Sequence, residues 1–265
     1  MKNITPADGD GAKAAVFLKL FLWSAVFCLA LRLSFCAPPP KPGKAPPAQA
    51  VSSEAPRVPV EFSAPRVKGN WNAGGVRLDD LELKDYFDKS GAPVRLYSHG
   101  KEAPSYAEFG YLSDAGEMPG AATEWNVESR GDASVVLSWK NSRGVGFKRS
   151  MAFDRGYVLS VRDTVSNFSP SDITIYPYAR VVGSADPGKA ASSHTGFVGV
   201  LDGKLIEETY ADIAKEPKLY ARAAGWFGFS GQYFLSALLN AAESRVSVQE
   251  ISPGVFQADF VRDAV

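Results

Sequence analysis

The chain has 265 residues, with 29 lysines and arginines against 29 aspartates and glutamates, so its formal net charge is zero. That length allows one sizeable core, or one domain with an anchor, and the lack of a basic field argues against nucleic acid as a partner. Eighteen prolines and 24 glycines beside only 22% charged residues point to many turns and a β-rich body.

In chain order, the first signal is "AAVFLKLFLWSAVFCLALRLSFC" (14–36), a 23-residue apolar segment broken only by Lys19 and Arg32. A helix of about 20 residues crosses the hydrocarbon core of a bilayer, and charges near its ends can snorkel. Three readings compete. An uncleaved signal anchor is favoured, since Lys19 and Arg32 can both reach outward. A cleaved signal peptide is the second, because the uncharged centre Leu20 to Leu31 is only 12 residues long and Ser34 and Cys36 could precede a cut at Ala37. Lipidation of Cys36 is disfavoured by bulky Phe35 beside it. Orientation is left open by charge, with Lys2, Lys13 and Lys19 balanced by Arg32, Lys41 and Lys44 across the segment.

Both cysteines, Cys28 and Cys36, lie in this segment, so no disulfide or thiolate metal site can form from Val51 onward. The proline clusters of 37–57 favour extended polyproline II and read as a semi-rigid spacer. From Val60 onward the period is two. In "GGVRLDDLELKDYF" (74–87), Val76 and Leu78 share a parity that Leu81 and Leu83 do not, which predicts a β-bulge at Asp79–Asp80. An acidic metal site at Asp79, Asp80, Glu82 and Asp85 is the alternative, but Asp80 and Glu82 point away from Asp79 and calcium-loop spacing is absent.

"SVVLSWK" (134–140) reads as a strand. "VGFKRSMAF" (145–153) and "YVLSVRDTVSN" (157–167) then form a hairpin around "DRG". "AAGWFGFSGQYFLSALLNAA" (223–242) has no charge and could pass for a second membrane span. Split as "GWFGF", "SGQ" and "YFLSALL", it becomes two short core strands around a three-residue turn, and Gly225, Gly228 and Gly231 would each cost about 1 kcal/mol in a helix. The hairpin at 225–239 is preferred.

Little chemistry is visible. His99 and His194 lie in Gly/Ser-rich turns and are expected to be exposed. Ser230 in "GFSGQ" lacks the last glycine and the strand–turn–helix setting of a nucleophile elbow. There is no Gly-x-Gly-x-x-Gly, P-loop or His-x-x-x-His pair. No catalytic residue, metal ligand or cofactor site is assigned, and the chain is not expected to be an enzyme.

Several pieces together resemble the N-terminal half of the YidC membrane-protein insertases of alphaproteobacteria. They are "NAGGVRLDDLELKDY", "PVRLYS", "YAEFGYLSD", "GFKRSMAFDRGYVLSVRDTVSN", "PYARVVG", "GFVGVLDGKLIEETYADI" and "GWFGFSGQYFLSALL", in the family's order over roughly residues 60–245. The last two are the most specific. Asp and Pro of the family hairpin are replaced near Gly231 and Asn240.

The resemblance implies a periplasmic β-supersandwich akin to galactose-mutarotase-like domains over 58–265, incomplete at its C-terminus and closed by strands after Val265. It also implies a cytoplasmic tail over 1–13 and a transmembrane signal anchor over 14–36 in the bacterial inner membrane. The family inserts and folds inner-membrane proteins with or without the Sec translocon. The implied partners are therefore nascent inner-membrane proteins, translocon components and the lipid bilayer. The family's substrate groove belongs to five further helices that this sequence does not contain, so neither Arg32 nor Arg245 takes the role of its arginine. Two other readings stand beside this one. The first is a membrane-tethered periplasmic binding domain without insertase activity. The second is a mutarotase-like carbohydrate-active protein, which would need His99 or His194 beside a carboxylate on the concave face.

Overall fold

The structure, a computed structural model, describes residues 15–20, 58–100, 103–113, 117–185 and 194–263. It opens with β1 (Ala15–Leu20), β2 (Pro59–Ser63), β3 (Val67–Asn72), β4 (Arg77–Phe87) and β5 (Pro93–Tyr97). Next come β6 (Tyr106–Leu112), β7 (Asn126–Gly131), β8 (Ser134–Lys140), β9 (Val145–Phe153) and β10 (Leu159–Asn167). β11 (Tyr176–Ser184), β12 (Gly196–Leu201) and β13 (Lys204–Thr209) precede one short helix, α1 (Tyr210–Lys215). Last are β14 (Lys218–Ser230), β15 (Leu235–Ser252) and β16 (Val255–Arg262).

The strands form two layers. The larger runs β2-β3-β4-β6-β11-β16-β15, with β14, β12 and β13 continuing beyond β15 and β5 lying on β4. The smaller runs β10-β9-β8-β7. Their apolar faces meet. Phe153 of β9 stacks 5.3 Å from Phe62 of β2 and 5.5 Å from Trp71 of β3, while Tyr111 of β6 sits 5.0 Å from Phe147 of β9. Trp71, Phe147, Phe197, Phe227 and Phe260 are fully enclosed, and burying each such side chain is worth roughly 1.5–3 kcal/mol.

Alternation drives this arrangement. In β9, Val145, Phe147, Arg149, Met151 and Phe153 point inward, and in β10 Leu159, Val161 and Asp163 do. Their antiparallel register runs from Leu159 opposite Phe153 to Asn167 opposite Val145, the hairpin expected around residues 154–156. Arg149 is the one cation among the inward side chains of β9. Its Nε and Nη2 donate to the two carboxylate oxygens of Asp163 at 2.7 and 2.6 Å, and Nη1 donates to the Phe109 carbonyl at 2.7 Å. Tyr111 also donates to Asp163, and the Trp125 ring covers the guanidinium.

The bulge in β4 is present. Asn70 pairs with Asp80 and Trp71 with Leu78, which leaves Asp79 as the extra residue. The acidic cluster around it is consumed by cations: Asp85 pairs with Arg66, and Glu82 with Lys68 and Arg95. Among the described residues no group of acidic or His/Cys side chains could hold a metal ion.

The 223–242 stretch is indeed a hairpin in the core, with two corrections. Its arms, β14 and β15, are 13 and 18 residues long rather than short. The turn is Gly231–Phe234 and not 230–232, because Ser230 still pairs with Leu235 and Gly231 N–H donates to the Phe234 carbonyl. Tyr233 thereby points into solvent, while Phe234 packs edge-on against Tyr86.

Of the apolar segment 14–36, only Ala15–Leu20 is described, and it is extended rather than helical. β1 runs parallel to β15 along Leu235–Leu239 and parallel to β10 along Leu159–Val161, joining the two layers. An extended segment there satisfies backbone groups on both flanking strands at once. Residues 21–36 and the spacer 37–57 lie outside the described residues. Among the described residues no helix is long and apolar enough to cross a membrane.

Candidate functional site

β6 and β16 are buried on both faces, which a strand over a single core does not require. Their inner faces carry Ala107, Phe109 and Tyr111, and Phe256, Ala258 and Phe260. Their outer faces carry Tyr106 and Glu108, and Gln257 and Asp259. Register then builds a polar row across five neighbouring strands. Arg77 of β4 lies opposite Glu108, Glu108 opposite Arg180 of β11, Arg180 opposite Asp259, and Asp259 opposite Ser247 of β15. Charges alternate from Arg77 to Asp259, so each of those cross-strand pairs is favourable.

Side-chain geometry ties the row together. Arg77 Nε donates to Glu108 at 2.5 Å, the Tyr178 hydroxyl donates to the same carboxylate at 2.9 Å, and Arg180 Nη1 lies 3.5 Å from it. Asp259 accepts from Ser247 Oγ at 2.8 Å and from Gln257 Nε2 at 2.5 Å. Each arginine is also stacked, Arg77 at 4.5 Å over Tyr106 and Arg180 at 4.6 Å over Tyr178. Burial opposes the charge on Arg77, but Glu108 and the nearby phenols outweigh it and its pKa is raised. Burial raises the Tyr106 and Tyr178 phenols, with Glu108 adding to both. The Arg180 Nε–H is buried without an acceptor.

Both carboxylates in the row therefore accept from donors within the sheet at each of their oxygens. Neither histidine joins them. His99 is exposed in the turn after β5, and His194 Nε2 lies 3.0 Å from the Phe197 carbonyl at the start of β12. The Ser230 hydroxyl sits at the end of β14 and donates to the Gly231 carbonyl at 3.1 Å.

The other surface feature with binding capacity is backbone. Among the described residues β13 pairs with β12 alone, so one of its edges is free of strand partners there. On it Leu205 is 63% exposed, flanked by Lys204 and followed by Glu207 and Glu208.

The model of the YidC periplasmic domain matches residues 59–265. The chain belongs to that family. A membrane protein insertase YidC from Allorhizobium ampelinum is 34% identical over 228 residues, covering 78% of this chain and 37% of the relative. The YidC from Granulibacter bethesdensis is 35% identical over 221 residues, covering 77% of this chain and 36% of its own length. The chain thus spans well under half the length of these relatives. Among solved structures, a galactose mutarotase related enzyme from Lactobacillus acidophilus superposes with a TM-score of 0.53 at 10% identity, covering 77% of this chain and 85% of that one. A galactose mutarotase-like protein from Lactobacillus casei gives 0.52 at 11% identity, covering 77% and 87%. The mainly β, mutarotase-like fold expected from the sequence is the one present; at this identity the likeness concerns the fold alone.

The polar row is not visible to a reading of the YidC periplasmic sequence by itself, although its trace is there. "YAEFGYL", "YPYARVVG" and "VFQADFV" each set one charged residue amid apolar neighbours. Only the strand register brings Glu108, Arg180 and Asp259 side by side.

Proposed function

We propose that this YidC periplasmic domain is the extracytoplasmic docking body of a membrane protein insertase, whose whole protein inserts and folds inner-membrane proteins with or without the Sec translocon. The apolar segment 14–36 anchors it in the inner membrane, which requires Ala15–Leu20 to leave the extended pairing with β15 and β10, while 1–13 stay in the cytoplasm and 37–57 tether the body on the periplasmic side. Lipid, nascent membrane proteins and translocon components are its partners. It performs no covalent chemistry and takes no cofactor.

The observation that carries this reading is the family match over the whole body. Geometry supports a binding rather than a catalytic role, since the buried carboxylates of Glu108, Asp163 and Asp259 accept from arginines, tyrosines, serine and glutamine. What is free to engage a partner is an edge such as β13, which offers unpaired backbone groups to an extended segment. Charged Lys204, Glu207 and Glu208 keep that edge from pairing with copies of itself, while Leu205 supplies an apolar contact.

The test is a photo-crosslinking residue in place of Leu205, with Ser150 on the outer side of β9 as the control position, in cells synthesising an inner-membrane client. Crosslinks to the client or to a translocon component from position 205 and not from 150 are expected. Equal labelling from both positions, or none from 205, would overturn docking at β13.

A further inference from the structure

The outer face of the smaller layer carries a groove that the docking role does not use. It has a volume of about 470 Å³, within the ~300–1,000 Å³ range of small-molecule sites. Its floor is made of side chains placed together by register. Ser138 lies opposite Lys148, Lys148 opposite Thr164, and Gly146 opposite Ser166. Gly146 makes the depression, because a Cβ built there meets nothing nearer than the Ser166 carbonyl oxygen at 3.9 Å.

The walls are charged but balanced. Glu124 and Glu128 offset Lys140 and Lys148, and Lys148 Nζ lies 2.6 Å from Glu128. At the rim, Phe168 is 78% exposed, an unusual position for a phenylalanine. It is not loosely placed. Its N–H donates to the Gly144 carbonyl at 3.2 Å, and Asn167 and Ser169 close a hydrogen-bonded turn around it. Trp139 also contributes to the lining, while its indole packs 5.7 Å from the ring of inward-facing Phe147.

We propose that this groove binds a short neutral saccharide, without turning it over. Zero net charge suits an uncharged ligand. Hydroxyls of Ser138, Thr164 and Ser166, the Asn126 amide and the Glu124 carboxylate supply mixed donors and acceptors for sugar hydroxyls. The Phe168 ring offers an apolar platform for the C–H face of a pyranose. An extended peptide is a poorer fit, since the backbone groups of β8 and β9 are already spent in the sheet and cannot form a new ladder. The inference stands apart from docking at β13, which uses a strand edge rather than a sheet face.

The experiment uses the full chain in a detergent without sugar headgroups, titrated with cellotetraose and with an N-acetylglucosamine tetramer while ligand-observed NMR reads saturation transfer. At least one tetrasaccharide is expected to saturate. Phe168→Ala should weaken it about tenfold. Gly146→Val, which puts a side chain into the open floor, should abolish it, with circular dichroism and melting temperature unchanged. Phe87→Ala, removing another exposed aromatic on β4, should have no effect. Failure of both sugars to saturate by about 10 mM, indifference to the two groove variants, or saturation by a polar hexapeptide alone would each overturn the proposal.

Discussion

Arg149 shows how a single residue can hold two layers together. Its guanidinium is enclosed, and it satisfies both oxygens of Asp163 and the Phe109 carbonyl, so β9, β10 and β6 converge on one side chain. Removing one member of such a pair leaves the other charge buried without compensation, which costs about 3–5 kcal/mol. Arg149→Met is therefore expected to lower stability by that amount in chemical denaturation, whereas Lys148→Met, on the exposed side of the same strand, should change it by less than about 1 kcal/mol. Tyrosines set the alkaline limit. Burial pushes Tyr210 up to about 12, and burial, against a hydrogen bond with Ser236, pushes Tyr97 up to about 12. A raised folded pKa gives stability that is complete below the unfolded value near 10 and is lost as pH rises through the folded one. Stability should fall between about pH 10 and 12, and Tyr210→Phe should shallow that fall by up to about 1.4 kcal/mol per pH unit, measured by denaturant titration across the range.

At the scale of elements, alternation makes much of the body legible. The β9–β10 hairpin, the bulge at Asp79 and the strand character of 223–242 all follow from parity and glycine content. The turn of the β14–β15 hairpin is harder to place because Tyr233 and Phe234 look like strand residues, and only tertiary contact with Tyr86 explains an aromatic in the turn. Length is hidden too: β15 continues through a polar second half whose inward Val246 and Val248 face the core made by other strands. Gly228 argues against a helix by its cost there, and its role in the sheet is steric. A Cβ on it would stand 1.8 Å from the Ser236 carbonyl oxygen, while at Gly231 the nearest atom is the Phe234 oxygen at 3.8 Å. Gly228→Ala is expected to cost about 3 kcal/mol and Gly231→Ala less than about 1, a contrast that paired thermal melts would read directly.

For the whole molecule, one sandwich carries two kinds of outer face. The larger layer closes its own outer face with the Arg77–Glu108–Arg180–Asp259–Ser247 row, and the smaller leaves its outer face open around Gly146. The row is illegible in the sequence because its members lie in five strands up to 182 positions apart, from residue 77 to residue 259, and no local period links them. A body whose charges are paired internally and whose edges remain available is suited to holding partners at a membrane surface. The docking role proposed for it requires that it stand on the periplasmic side, anchored by 14–36 and tethered by 37–57. Protease added to spheroplasts of cells expressing the full chain reads that placement. A probe antibody against 58–265 is expected to lose its signal in spheroplasts but not in intact cells. Protection of that region until the inner membrane is lysed would contradict the placement, and docking with it.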